Sequence, residues 1–311
     1  MKKSVLVVAL ALGVTGAFAQ DLTSKKGEPM LPEAEDWAIS LDAAPIFTFV
    51  GNAFNGNTAN AAPGVNWLNG NQTIIGKKFI DDKNAYRVLV RLGFTNQTYK
   101  NMVNDDANTT APVFPATAPM VEDKFKMRNT NIGIGVGKEM RRGKTRLQGY
   151  YGADAMIWIS SSSNKYEYGN TMTGNPTAAG QTATPTSSQW NTTTGALSGP
   201  AIADGSRELS TKSGMTFGLG VRGFIGAEYF IFPKIAIGAE YGWGIGYQMT
   251  GKGKSVVETT GGTGTPTTGE VETETSGSSK FGFDTDLNQG NIFGFKGSNT
   301  GNASLKVTFH F

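Results

Sequence analysis

From Ala303 to Phe311 the apolar residues fall on every second position: Ala303, Leu305, Val307, Phe309 and Phe311. Ser304, Lys306, Thr308 and His310 lie between them. Period-two alternation puts one set of side chains on each face of a strand. The stretch has the roughly 9–11 residues that a tilted strand needs to cross a bilayer. The same alternation recurs upstream and predicts eight strands. The first begins at Trp37 and carries Ile39, Leu41, Ala43, Phe47 and Phe49 against Ser40, Asp42 and Thr48. The second runs from about Thr73 to Ile80, with its register left open because Lys77 and Lys78 occupy both faces. The third spans Ala85 to Phe94, with Tyr86, Val88, Val90, Leu92 and Phe94 opposite Arg87 and Arg91.

The fourth, from about Phe125 to Gly137, sets Ile132, Ile134 and Val136 against Asn129, Asn131, Gly133 and Gly135. The fifth, Thr145 to Ile159, sets Leu147, Tyr151, Ala155 and Ile157 against Arg146, Gln148 and Asp154. The sixth, Met215 to Ile231, opposes Phe217, Leu219, Val221, Ile225 and Tyr229 to Thr216, Arg222 and Glu228. The seventh, Ile235 to Gln248, alternates Ile, Ala and aromatic residues with small ones and Glu240. Met156, Trp158 and Phe224 fall on the polar parity. Either a bulge shifts the register or the polar face is partly apolar.

Short and long connections alternate. Asp81–Asn84, Lys138–Lys144 and Phe232–Lys234 read as tight turns. The segments 51–71, 95–123, 160–211 and 249–301 are rich in Asn, Gly, Ser and Thr and read as long polar loops. An even number of strands, with short turns on one rim and long loops on the other, is the layout of an outer-membrane barrel. The fold class expected is therefore all-β: an eight-stranded antiparallel transmembrane barrel with long extracellular loops and short periplasmic turns. The rival is a secreted soluble β-sandwich, which would turn its apolar faces inward.

The amino terminus changes the weighting. Met1-Lys2-Lys3, the apolar run Val5–Leu12 and the small-x-small triplet Ala17-Phe18-Ala19 read as a secretory signal peptide over 1–19. Residues 20–36 are a polar lead-in expected in the periplasm, and 37–311 the barrel domain. The chain has no cysteine, which excludes disulfides, thiolate metal sites and a lipidated amino-terminal cysteine. Without Lys2 and Lys3 the basic count falls from 28 to 26 against 25 acids, so nothing in the charge points to nucleic acid.

Three stretches carry a family resemblance: Leu31-Pro32-Glu33-Ala34-Glu35-Asp36-Trp37-Ala38, Glu228-Tyr229-Phe230-Ile231-Phe232-Pro233-Lys234, and Val307-Thr308-Phe309-His310-Phe311. With them the chain resembles the outer-membrane β-barrel proteins of the Bacteroidetes group, and overall it is similar to small barrels of the OmpA and OmpX type. The resemblance covers the strands and not the long loops. It implies residence in the bacterial outer membrane, with membrane lipid and, during biogenesis, the barrel-assembly machinery as partners. Leu305, Val307, Phe309 and Phe311 resemble the terminal signal that this machinery recognises.

Little in the chain suggests chemistry. Gly218, Gly220 and Gly223 fit a dinucleotide fingerprint in spacing, but strand alternation continues through them where a helix is required. Small residues that relieve crowding explain them better. Gly143-Lys144-Thr145 and Gly253-Lys254-Ser255 lack the earlier glycine of a phosphate loop. His310, the one histidine, is at the rim away from the long loops, and a histidine-based metal site has no second member. The carboxylates of the last loop (Glu258, Glu270, Glu272, Glu274, Asp284, Asp286) lack calcium-loop spacing. No cofactor and no enzymatic activity are expected.

The inward charges are more informative. Asp42, Arg87, Arg91, Arg146, Asp154, Arg222, Glu228, Glu240 and Lys306 share the face opposite the apolar one. An eight-stranded barrel has an interior just wide enough for side chains to fill it. Opposite charges there should pair, since an isolated buried charge is costly. The expectation is a charge-plugged lumen in a protein with a structural or surface-interaction role. The alternative is a small porin-like channel for polar solutes, its arginines selecting anions. The ligand of the loops is not specified by the sequence.

Overall fold

In the computed structural model, residues 23–24, 26–56, 73–108, 112–172, 185–201, 205–261, 267–284 and 303–311 are described. The expected signal segment 1–19 lies outside them. The chain leaves its first strand, β1 (Trp37–Asp42), earlier than the alternation suggested and turns into helix α1 (Ala44–Phe54). Pro45 is the reason: it has no N–H for a strand ladder but fits the first turn of a helix, where that N–H is unused. Phe47 and Phe49 are therefore helical, not part of the strand.

Then follow β2 (Ile74–Phe79), β3 (Asn84–Asn104), β4 (Met120–Arg142), β5 (Leu147–Glu167), β6 (Ser187–Trp190), β7 (Leu197–Ala201) and β8 (Ser206–Lys212). The last elements are β9 (Thr216–Phe232), β10 (Ile235–Thr250), β11 (Gly253–Gly261), β12 (Thr267–Thr275), β13 (Ser278–Asp284) and β14 (Ala303–His310). The protein is mostly β. Eight antiparallel strands, β1-β2-β3-β4-β5-β9-β10-β14, close on themselves by hydrogen bonds into a ring. These are the eight regions that the alternation marked as strands.

The ring has a measurable stagger. Stepping across partners from Ile245 leads through Val221, Ala155, Val136, Val88, Gly76, Ile39 and Phe309, and returns to β10 at Ile235, ten residues below the start. A closed ring of strands requires such a stagger and tilts its strands by about 35–45°. Every residue on this path is apolar or glycine, and Val221, Val136, Val88, Ile245, Ile39 and Phe309 are each at least two-fifths exposed. The outer surface of the ring is therefore greasy.

Wall height is uneven. β1, β2 and β14 have 6 to 8 residues, whereas β3, β4 and β5 have 21 to 23. The β3–β4 ladder continues to Asn104–Met120, through a stretch expected to be loop. The expected loops over 160–211 and 249–301 likewise hold β6, β7, β8, β11, β12 and β13. Above the ring β5 pairs with β8, β8 with β11 and β11 with β12, while β13 continues the sheet beside β10. Their side chains alternate weakly in polarity because backbone pairing, not an apolar surround, holds them.

The lower end is tied by short turns. In the β2–β3 turn the Lys83 N–H donates to the Asp81 carboxylate at 2.7 Å, and the Asn84 amide donates to it at 3.0 Å. At the β9–β10 turn Lys234 adopts φ +61° and its N–H donates to Met30 O. Met30 is buried against Phe230 and Ala236, so the lead-in folds over the bottom of the ring. Lys234 also pairs with Asp36. Partial burial raises the pKa of Asp36, but donors from Lys234 and the Glu33 N–H outweigh it and hold the carboxyl below its usual 3.8. A depressed carboxylate stabilises the fold above its unfolded pKa, and the effect is lost as pH falls through the folded one. The stability difference between the parent and Asp36→Asn should therefore be constant at neutral pH and shrink on acidification below the usual carboxylate range, as read from urea midpoints against pH.

Candidate functional site

The inward face of the ring is stacked in layers. At the bottom, the His310 ring is packed between Phe79 at 5.4 Å and Phe230 at 5.2 Å. Above it lies a buried ion network. Lys77 reaches Glu139 at 3.0 Å and Glu228 at 2.9 Å. Arg87 reaches Glu240 at 2.9 Å, Glu139 at 3.2 Å and Asp154 at 3.4 Å. Arg141 pairs with Glu228 and lies 3.8 Å from Glu139. Arg222 joins Asp154 at 3.2 Å and Glu240 at 2.8 Å, and Lys306 joins Glu240 at 2.7 Å.

These pairs are continuous: five cations and four carboxylates share one network. Seven strands supply the charges. β1 adds Ser40, whose hydroxyl shares a 2.7 Å hydrogen bond with Thr308, and the Thr308 hydroxyl donates to Glu228 at 3.2 Å. Every strand of the ring is thus stitched to the network. Aromatic faces take up the remaining cation surface, with the Arg87 guanidinium 3.8 Å from the Phe224 ring centre and the Lys77 ammonium 4.9 Å from that of Tyr150.

Small residues make room for it. A Cβ built on Gly242 would sit 2.4 Å from Arg222 Nε, and one on Gly218 would sit 2.1 Å from the Trp158 ring. Gly218 therefore accommodates an inward indole within a continuous β9, which accounts for one glycine of the apparent dinucleotide fingerprint.

Above the ions lies an apolar layer of Ile75, Leu89, Met156 and Trp158. Pairing through Met156, Trp158 and Phe224 is unbroken, so no bulge is involved and the inward face is partly apolar. Above this layer is a polar cup of about 440 Å³, lined by Arg91, Asn129, Asn131, Ser160, Ser162 and Thr216, among others.

Of the nine charges singled out in the sequence, Arg87, Asp154, Arg222, Glu228, Glu240 and Lys306 meet in the network. Arg91 is placed in the cup, beyond the apolar layer. Arg146 is half-buried near the lower rim, and Asp42 is half-buried opposite Lys306 in the β1–β14 register. Three members escaped sequence reading: Lys77, Glu139 and Arg141. The last two continue the parity Gly133-Gly135-Gly137 past the point at which a turn was expected, since β4 runs on to Arg142. Lys77 faces in and Lys78 faces out, where Lys78 pairs with Glu35 at 2.5 Å and lies 5.0 Å from the Trp37 ring. Leu305, Val307 and Phe309 share the outward face of β14, followed by the exposed Phe311.

No family model, curated protein or solved structure matches this chain.

Proposed function

We propose that the protein is an integral outer-membrane β-barrel whose lumen is closed by the ion network and whose upper strands present an interaction surface. One observation carries the reading: polarity is inverted, with ionic side chains buried inside the ring and Leu, Ile, Val and Phe exposed around it. In water that arrangement is unfavourable on both counts. In lipid each face meets its preferred surroundings, and a closed ring leaves no edge with unpaired backbone groups. Among the described residues no helix is long and apolar enough to cross a membrane. β3, β4 and β5 have about twice the residues a crossing needs, so their upper halves would stand clear of the lipid. The terminal apolar face of β14 would engage the assembly machinery.

Geometry supports closure. The network joins all eight strands, the interior of an eight-stranded ring is just wide enough for side chains to fill it, and an apolar layer lies on top of the ions. Purified protein in planar bilayers should show no steady conductance above leak. A stable, ohmic single-channel step would overturn the closed lumen and favour the porin-like alternative, with the Arg91 cup as its vestibule.

A further inference from the structure

A second pocket, of about 500 Å³, opens among the extended strands above the ring. β5 supplies Tyr166, β6 supplies Gln189 and Trp190, β8 supplies Arg207 and Glu208, and Tyr168 and Ser198 also line it. Its frame is held firmly. Asp123 accepts from the Gly169 N–H at 2.8 Å and the Ser188 N–H at 2.7 Å, which docks β6 onto β4. Asp106 accepts the Thr186 N–H at 2.6 Å. Arg207 donates to Glu258 at 2.7 Å and to Asn170 O at 2.8 Å, and its guanidinium lies 4.4 Å from the Tyr168 ring centre. The Trp190 ring stacks on Phe125 at 5.9 Å, inside a cluster with Tyr99 and Tyr166.

Trp190 is 9 % exposed, and its Nε1–H is buried with no partner. A buried donor left unmade is costly, and an acceptor entering the adjoining pocket would satisfy it. The volume and the mix of aromatic walls with a few fixed polar groups are those of a small-molecule site. Hydroxyl and amide groups disfavour a purely apolar occupant. Of the two charged groups in the lining, Arg207 is already paired with Glu258 and Glu208 already accepts from the Thr211 hydroxyl, so the lining does not call for an ion. A neutral, hydroxyl-rich molecule meets both conditions.

We propose that this pocket binds a neutral saccharide, with Trp190 Nε1 donating to a sugar oxygen. The inference rests on the membrane reading only for the pocket's exposure at the cell surface; binding by folded protein in detergent is tested separately from location. The probe is an array of neutral di- to tetrasaccharides of hexoses and N-acetylhexosamines, printed beside sialylated and sulfated counterparts. Folded protein should bind at least one neutral sugar. Trp190→Phe, which keeps the ring packing and removes the donor, should weaken that binding about tenfold, the worth of one hydrogen bond to a neutral partner. In wild-type protein labelled with ¹⁵N-tryptophan, titrating the same sugar should move a single indole N–H resonance saturably, a readout that survives if the variant does not fold. Retention of acidic sugars only, no binding anywhere on the array, an unmoved indole resonance, or equal affinity in a folded Trp190→Phe would each overturn the proposal.

Discussion

Replacing Glu240 by glutamine should cost about 3–5 kcal/mol of folding stability, the usual cost of breaking a buried ion pair from one side. Glu240 accepts from Arg87 at 2.9 Å, Arg222 at 2.8 Å and Lys306 at 2.7 Å, and all four residues are nearly or fully buried. Glutamine keeps the volume and loses the charge, leaving five cations to three carboxylates. Reversible urea unfolding in lipid vesicles, followed by tryptophan fluorescence, reads the loss. Glu274→Gln is the matched control. Its partner Lys252 lies 2.8 Å away, but both side chains are more than half exposed, so the change should stay within about 1 kcal/mol. The double variant Glu240→Gln with Lys306→Met should recover part of the loss, because it removes a stranded cation along with its partner. A Glu240→Gln penalty as small as the control's would mean that water reaches the network and that the interior is not sealed.

That network was partly visible in the sequence. The eight ring strands were readable because a ring with an apolar outside and an ionic inside imposes period two on every strand. Inward charges such as Arg87 and Glu240 could be found from parity alone. Glu139 and Arg141 were lost because Lys138, Arg142 and Lys144 give 138–144 the look of a solvated turn, although the parity of the preceding glycines passes straight through it. Pro45 marked the end of β1 more reliably than the apolar parity of Phe47 and Phe49. The upper strands left no such trace. Above the ring, β-pairing is held by backbone hydrogen bonds, which any of Thr, Ser, Asn or Lys can make, so composition there reads as loop. The aromatic pocket was hidden for a further reason: Phe125, Tyr166 and Trp190 are 24 to 65 residues apart in the chain, and only the long β4–β5 ladder and the docked β6 bring them together.

The sharpest test of the environment outside the ring is Ile134→Arg. Ile134 lies midway along the outward apolar run of β4, is 48 % exposed, and is flanked by Val90 on β3 and Ile157 on β5. Arginine near the middle of a bilayer costs a barrel about 2–4 kcal/mol, falling toward zero at the interfaces. On a water-facing strand the same change would be a surface substitution, within about 0.5 kcal/mol and favourable for solubility. Thr98→Arg supplies the comparison: Thr98 is exposed on the same face of β3, beyond the aromatic Phe94, and should tolerate the charge. Unfolding in vesicles should therefore separate the two variants by at least about 2 kcal/mol. Equal stability would place the greasy outer surface in water, leave the exposed Val, Ile and Phe residues to be covered by something other than lipid, and remove the physical basis for reading the ring as a membrane barrel.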